Sequence, residues 1–228
     1  MDDRFNRLKL LIDEENFSKL NNATVAVFGI GGVGSFTVEA LARSGVGHLV
    51  LIDKDDIDVT NINRQIHALT STIGRSKVEV MRERIHDINP DAVVDTVQKF
   101  FLPDEQIEDF FLCEYDYVVD AIDTLTAKIF LVEECKRRGI KIISAMGAGN
   151  KLNPTRFKVS DIFQTSTDPI AKVMRKKLRE RGIDSLTVVW SDEPPMPVKD
   201  IIGSNSFVPS VAGLIIAGAV VEDLININ

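Results

Sequence analysis

Four charged residues stand at spacings that suit polyphosphate chemistry. Asp53 closes the run Leu49-Val-Leu-Ile-Asp53, Arg64 follows eleven residues later and Lys77 twenty-four residues later, and Asp123 ends Tyr115-Asp-Tyr-Val-Val-Asp-Ala-Ile-Asp123. A carboxylate at the end of a second strand accepts hydrogen bonds from ribose hydroxyls. An arginine makes bidentate contacts with phosphate oxygens, and a lysine supplies a mobile point charge. Asp123 is of the type that holds Mg²⁺ through oxygen, and Asn61 and Gln65 flank Arg64 with amide donors. Together these suit attack by a carboxylate on the α-phosphate of ATP, with pyrophosphate leaving. Each residue also has a plainer reading. Arg64 and Lys77 serve equally as solvated loop and helix-start cations, and Asp120 and Asp123 as caps of the following helix; for Asp120 the cap is preferred. The three histidines do not cluster, and His67 is read as structural.

These groups need a scaffold, and Val25-Ala-Val-Phe-Gly29-Ile-Gly31-Gly32-Val-Gly34 supplies its centre. A β-branched and aromatic run stops at glycines and leads into Ser35 to Arg43, which reads as strand, tight turn and helix. Gly29 and Gly31 let the backbone turn and approach a phosphate, Gly34 lets helix and strand pack, and the helix N-terminus offers free N–H groups to an anion. A nicotinamide-dependent oxidoreductase would explain the glycines and Asp53 but would leave Arg64, Lys77 and Asp123 without roles.

Further elements follow in order. Residues 1–22 read as an amphipathic helical arm with Leu8, Leu11, Ile12 and Phe17 inward. A helix runs from Lys77 to about Ile88, Val93 to Val97 is a strand, and Pro103 to Leu112 is a short helix. A helix ends at Arg138, and Lys141 to Ala145 is a buried strand. Alternation of this kind predicts an α/β, doubly wound, mostly parallel, Rossmann-like sheet. From Gly147 the pattern changes. Asn150 to Thr167 is polar and turn-rich, Pro169 to Arg181 is a basic helix, Leu186 to Trp190 is a short strand, and a proline-rich loop precedes a buried C-terminal helix. The expected organisation is one adenylation-type domain over 1–228, with the arm at 1–22, a nucleotide-binding core at 23–147 and a substrate- and RNA-facing extension at 148–228.

The chain has 228 residues, is 44% hydrophobic and carries a formal charge of −7. That describes a soluble protein with no global attraction to nucleic acid. Locally the balance reverses. Lys172, Arg175, Lys176, Lys177, Arg179 and Arg181 put six cations and one acid into ten positions, either a landing surface for a polyanion or a solvated helix face. Two cysteines, Cys113 and Cys135, are too few for a thiolate zinc site. The N-terminal residues lack a signal-peptide apolar core, so a cytoplasmic protein is expected. Ile201 to Val221 is interrupted by Gly203-Ser-Asn-Ser206 and Pro209, leaving too short an apolar helix to span a bilayer.

Arg4-Phe-Asn-Arg7, the glycine run, Asp53-x-Asp55, Thr60-Asn-Ile-Asn-Arg-Gln65, Gly74-x-x-Lys77 and Asp120-x-x-Asp123 resemble, in order, the motifs of the ubiquitin-activating-enzyme-like superfamily. The resemblance implies that Gly29, Gly31, Gly32, Gly34, Asp53, Asp55, Asn61, Arg64, Gln65, Lys77 and Asp123 bind ATP, with Asp123 on Mg²⁺. It also implies a homodimer in which Arg7 reaches the partner's site as an arginine finger. Members that activate carrier proteins commonly hold zinc in Cys-x-x-Cys pairs and use a later cysteine, and this chain has no cysteine after Cys135. Gly149-Asn-Lys-Leu-Asn-Pro-Thr155, Trp190-Ser-Asp-Glu-Pro194 and Gly203-Ser-Asn-Ser-Phe-Val-Pro-Ser-Val-Ala-Gly213 resemble the tRNA threonylcarbamoyladenosine dehydratase branch. That branch implies adenylation of the threonyl carboxylate of the modified adenosine beside the anticodon, ring closure by the neighbouring carbamoyl group, and release of AMP. A sulfur-transfer protein is a candidate accessory partner. The alternative is an adenylyltransferase for the C-terminal Gly-Gly of a ubiquitin-like or sulfur-carrier protein.

Overall fold

The computed structural model describes residues 4–103, 106–197 and 201–226. Its spine is a seven-stranded sheet in the order β3-β2-β1-β4-β5-β7-β6. The strands are β1 (Thr24–Phe28), β2 (His48–Ile52), β3 (Val93–Val97), β4 (Tyr117–Asp120), β5 (Lys141–Ala145), β6 (Phe157–Asp161) and β7 (Thr187–Ser191). All neighbours pair in parallel except β6 with β7. Strand order reverses between β1 and β4, which leaves a crevice beyond their carboxyl ends where open sheets bind ligands.

Both faces of the sheet's centre are covered, so the central strands are apolar on both sides and alternate only in which layer they serve. In β1, Ala26 and Phe28 join the layer under α4 (Leu125–Arg138) and α5 (Pro169–Glu180). Val25 and Val27 join the layer under α2 (Gly34–Arg43), α3 (Lys77–Ile88) and α6 (Val208–Leu224). The helix α1 (Asn6–Asn22) packs Ile12 and Leu20 against Ile225 beyond the end of α6.

Four expectations need correction. Leu11 is 81% exposed, because a break at Asp13 (φ 68°) turns the first part of α1 out of register with the second. Residues 150–167 contain strand β6, which escapes notice because an edge strand of five residues whose side chains are half-buried or exposed carries no apolar run. Around 103–112 the described residues hold only a 3₁₀ turn, Ile107–Phe110; Asp104 and Glu105 lie outside the described residues. The C-terminal helix is buried on one side only. Gly213 lies against α2, where a Cβ would sit 2.3 Å from the Val33 carbonyl oxygen, while Phe207 and Leu214 face outward at 45% and 48% exposure.

Candidate active site

The crevice is a cavity of about 680 Å³. The glycine turn builds its floor. Gly29 adopts φ +90°, and a Cβ there would meet the Ala121 carbonyl oxygen at 2.6 Å, while one on Gly34 would meet the Gly29 carbonyl oxygen at 1.8 Å. Both positions therefore demand glycine, one for backbone conformation and close approach, the other for helix-strand contact. Gly34 does this packing work and does not line the cavity; Gly29, Gly31 and Gly32 do. At Gly32 the missing side chain makes room for Arg64 and Pro209.

Asp53 is held rigidly at the end of β2. One carboxylate oxygen accepts from the Ile30 N–H at 2.6 Å and the other from the Asp55 N–H at 2.9 Å. Burial raises its pKa above the ordinary carboxylate value, against the opposing pull of Lys77 and of these two amides. Lys77 is the first residue of α3 and only 5% exposed. Its Nζ donates to Asp55 at 2.8 Å and lies 3.9 Å from Asp53. A cation at a helix N-terminus opposes the helix dipole. The two carboxylates offset that cost, and ammonium and helix end together concentrate positive potential at the cavity wall.

The segment after β2 delivers the remaining groups. Asp58 caps a 3₁₀ turn, Val59–Asn61, and the Asn61 Oδ1 accepts from the Asp58 N–H at 3.1 Å. Arg64 is half-buried and donates from Nη1 to the Thr60 carbonyl at 2.9 Å and to Asn63 Oδ1 at 2.8 Å. Gln65 is buried with Oε1 lacking a partner among the described residues, and it lines the cavity beside Gly31. Asp123 is exposed at the opposite wall, where Oδ1 receives one hydrogen bond, from the Thr124 hydroxyl at 3.2 Å. That leaves carboxylate oxygen facing a polyphosphate-sized space, a donor type that suits Mg²⁺.

Asp53, Asp55, Asn61, Arg64, Gln65, Lys77 and Asp123 thus all line one cavity. Arg7 does not; it is exposed on α1. None of the six basic residues at 172–181 lines it either. Asp120 lies beneath the floor, fully buried; it does not cap α4, whose N-cap position is Thr124, but pairs with Lys128 at 2.9 Å and accepts from the Ile122 N–H at 3.1 Å, because a carboxylate buried there needs a cation rather than a helix end. Sequence reasoning missed the apolar end of the cavity, formed by Phe100, Phe101 and Ile122 with Lys54 held 4.2 Å above the Phe100 ring. The two phenylalanines follow β3 on the same carboxyl edge, which was the available signal.

His67 lies outside the cavity lining. Its Nε2–H donates to the Ile30 carbonyl at 2.8 Å, and its Nδ1 has no partner among the described residues. Burial pushes its pKa down to about 4. The neutral form is therefore the native one, and this group favours folding above its unfolded pKa and loses that contribution as pH falls through 6.5 toward 4. By about pH 5 the loss amounts to about 2 kcal/mol. Urea unfolding near pH 7.5 and 5 checks this: wild type should lose more stability than His67→Gln, and parallel losses would remove His67 from the pH response.

A doubly wound sheet, a glycine turn against a ribose-side carboxylate and two cations over one switch-point cavity define a nucleotide-binding α/β protein equipped for a polyphosphate. The chain belongs to the ThiF family, whose model matches residues 5–227. It is 51% identical to the tRNA threonylcarbamoyladenosine dehydratase of Bacillus subtilis, over 98% of this chain and 95% of that protein. The crystal structure of E. coli tRNA N6-threonylcarbamoyladenosine dehydratase in complex with ATP superposes with a TM-score of 0.92 at 37% identity, covering 98% of this chain and 94% of that one. A more distant relative, the sulfur carrier protein ThiS adenylyltransferase of E. coli, is 32% identical over 65% of this chain and 60% of its own length.

Proposed function

We propose that this chain catalyses the ATP-dependent cyclising dehydration of threonylcarbamoyladenosine at position 37 of tRNA. The observation that carries the reading is the single cavity in which Gly31, Asp53, Asn61, Arg64, Lys77 and Asp123 converge. ATP is the co-substrate. Its adenine fits the slot at Phe100 and Phe101, its ribose hydroxyls donate to Asp53, and its phosphates run past Gly31 toward Arg64 and Lys77. A threonyl carboxylate oxygen attacks the α-phosphorus, the bond to pyrophosphate breaks, and the acyl adenylate forms. A carbamoyl heteroatom then attacks the acyl carbon, its proton is lost and AMP leaves. The oxygen formally removed as water departs on AMP. An internal nucleophile already beside the acyl group has a high effective concentration. Arg64 and Lys77 act by stabilising charge on the phosphates. Mg²⁺, held by Asp123 through oxygen, would neutralise phosphate charge when bound.

Nucleoside mass spectrometry of tRNA carrying the uncyclised nucleoside tests this directly. Incubation with the protein and Mg-ATP should remove one water from that nucleoside; an unchanged nucleoside with ATP bound would defeat the reading. Adenylation of a carrier protein's C-terminal Gly-Gly is the second reading, favoured by the distant adenylyltransferase relative. Carrier-dependent ATP-pyrophosphate exchange would establish it.

Two partners follow from this reading. The tRNA would land on α5, where Lys176 and Lys177 approach Glu180 and Arg181 pairs with Glu133, while Lys172, Arg175 and Arg179 have no carboxylate partner among the described residues. Reversal of Lys172 and Arg179 to glutamate should weaken tRNA binding about tenfold or more and flatten its salt dependence, with ATP affinity intact. Unchanged tRNA affinity would remove α5 from the interface. The second partner is another copy of the chain. The outward face of α6 continues at its start toward the loop bearing exposed Ile62 and Leu69, through Asn63 Nδ2 on the Ser204 carbonyl at 3.1 Å, and at its end onto α1 with exposed Leu10 and Leu11. So much exposed apolar surface around one helix reads as an interface, and Arg7 on the same arm would reach the partner's cavity. Light scattering should give twice the chain mass, and a monomer active at low concentration would exclude the arginine finger.

No helix among the described residues is long and apolar enough to cross a membrane, in keeping with the cytoplasmic location we propose. The Cys113 thiol is pushed up by partial burial and three nearby carboxylates, and Cys135 by burial. We propose a separate sulfur-transfer protein as an accessory partner, which co-purification would reveal. We read 1–228 as one adenylation-type unit that holds no zinc, which metal analysis of the purified protein checks.

A further inference from the structure

Lys151 and Asp168 form an ion pair buried at the carboxyl edge of the sheet, with side chains 1% and 0% exposed and Nζ 3.1 Å from Oδ2. Neither residue lines the nucleotide cavity. Each binds more than its partner. The Lys151 ammonium also donates to the Gly147 carbonyl at 2.7 Å and, at 3.4 Å, to the carbonyl of Ser191 at the end of β7. Asp168 is the N-cap of α5, where Oδ1 accepts from the Ala171 N–H at 2.9 Å. Its Oδ2 accepts from the Gly147 N–H at 3.1 Å as well as from Lys151. A single carboxylate therefore starts one helix and, through its other oxygen, grips the chain just beyond β5. The fit is close, since a Cβ on Gly147 would lie 3.1 Å from that oxygen.

Two surfaces meet at this pair. On one side, Ala148 and Gly149 follow directly from Gly147 and line the nucleotide cavity. Glu193 fixes the far end of the same stretch, accepting from the Leu152 and Asn153 N–H groups at 2.9 Å each. On the other side, Lys172 stands exposed one turn after Asp168, and its backbone N–H donates to the Asp168 carbonyl at 3.0 Å. Lys172 thus opens the cationic row of α5. A buried ion pair is a poor source of net stability, since apolar residues of similar volume often do as well. What it supplies is direction. The ammonium and the carboxylate, with every oxygen and donor named above engaged, lock β7, the stretch after β5 and the start of α5 into one arrangement.

We propose that Lys151 and Asp168 are positioning residues for the reaction, setting the distance between the helix that receives the tRNA and the cavity that holds ATP. The inference rests on the reaction proposed above and on tRNA landing at α5. The threonyl carboxylate arrives on one of these bodies and the α-phosphorus on the other, and the reacting atoms must come to about 3–3.5 Å before a bond forms. A misplacement of about 1 Å can cost on the order of 10²-fold in rate. Binding of either substrate alone makes no such demand. Cations on α5 hold the RNA backbone wherever the cavity wall stands, and Asp53, Arg64 and Lys77 hold the nucleotide from the end of β2 and the chain beyond it. Loss of the pair is therefore expected in the chemical step rather than in affinity.

Lys151→Met/Asp168→Ser tests this, because it removes both buried charges together and keeps a hydroxyl to cap α5. Lys151→Gln is a milder change that keeps an amide donor on a shorter stem. Single-turnover cyclisation at saturating Mg-ATP and saturating modified tRNA should slow at least about tenfold in the double variant and a few-fold in Lys151→Gln. The Kd for ATP and the Kd for tRNA, each measured alone, should stay within about threefold of wild type. If the double variant does not fold, the same split between rate and affinity is read in Lys151→Gln. Rates equal to wild type in the folded variants overturn the positioning role. So does a loss of either affinity as large as the loss of rate, which is what general loosening of the fold would give. Wild-type protein that binds ATP and converts no modified tRNA defeats the proposed reaction itself. Wild-type turnover with a tRNA affinity untouched by the Lys172 and Arg179 reversals defeats the landing on α5, and the positioning role with it, whereas wild-type turnover, a confirmed landing and unslowed variants defeat the positioning role alone.

Discussion

Replacing Lys77 with methionine is expected to lower kcat/KM for modified tRNA by on the order of 10²–10³-fold, the usual effect of removing one preorganised charge from a site where negative charge develops. The ammonium has 5% exposure and two carboxylates within 3.9 Å, so it is desolvated and fixed before ATP arrives. Methionine keeps the packing volume and deletes the charge. A second effect follows from Asp53. Burial already raises its pKa, and attraction to Lys77 is the largest opposing influence. Without Lys77 that pKa rises further. Because the ionised carboxylate is the form that accepts ribose hydroxyls, the acid limb of ATP binding should move to higher pH in Lys77→Met. Lys77→Arg should recover the acid limb but only part of the rate, since a planar fork cannot follow the phosphates as a flexible ammonium does. Steady-state kinetics and ATP titrations across pH check both effects. Turnover within about threefold of wild type in Lys77→Met would sink the assigned role.

The sequence revealed the half of this site that has strong local signals and hid the half that is assembled from a distance. Glycines at a strand end, a carboxylate after the next strand and a lysine at a helix start obey local backbone rules, so Gly29, Asp53 and Lys77 stand out with no tertiary information, and all three line the cavity. Asn61, Arg64 and Asp123 likewise line the cavity as expected. Phe100 and Phe101 carry no local signal of the site, because nothing local says that β3 ends at the same edge as β1. Strand β6 is hidden for the same reason: its half-buried and exposed side chains have no periodic apolar face, and only pairing with β7 makes it a strand. The break at Asp13 inverted the expectation for Leu11, since helical periodicity fails once one residue leaves the helix. The pairs buried beneath the sites were equally silent. Lys128 and Lys151 look like surface lysines in the sequence, yet each has a side chain 1% exposed and paired with an aspartate at 0%.

Lys128 gives the largest expected effect on stability. Its ammonium lies 2.9 Å from Asp120 and donates to the Ile122 carbonyl at 3.1 Å. Asp120 in turn accepts from the Ser144 hydroxyl at 2.5 Å and from the Ile122 N–H at 3.1 Å, so the pair ties β4, β5 and the start of α4 together directly under Ala121. Lys128→Met strands the Asp120 carboxylate in the interior, which typically costs 3–5 kcal/mol, or roughly a third or more of a domain's stability. Asp120→Asn in the same chain removes the stranded charge, keeps the amide oxygen as acceptor for the Ile122 N–H and turns the amide NH₂ to donate to the Ser144 hydroxyl oxygen. The double variant should therefore be more stable than Lys128→Met alone. Urea unfolding of the two single variants and the double variant measures the coupling, and additive losses would show that the pair does not act as a unit. The functional consequence follows from the backbone. Ala121 donates to the Phe28 carbonyl at 2.8 Å and presses its own carbonyl against Gly29, so loosening residues 120–123 loosens the glycine turn and the position of Asp123 together. Lys128→Met should thus weaken ATP binding although its side chain never reaches the cavity, and Lys128→Met/Asp120→Asn should restore it in step with stability.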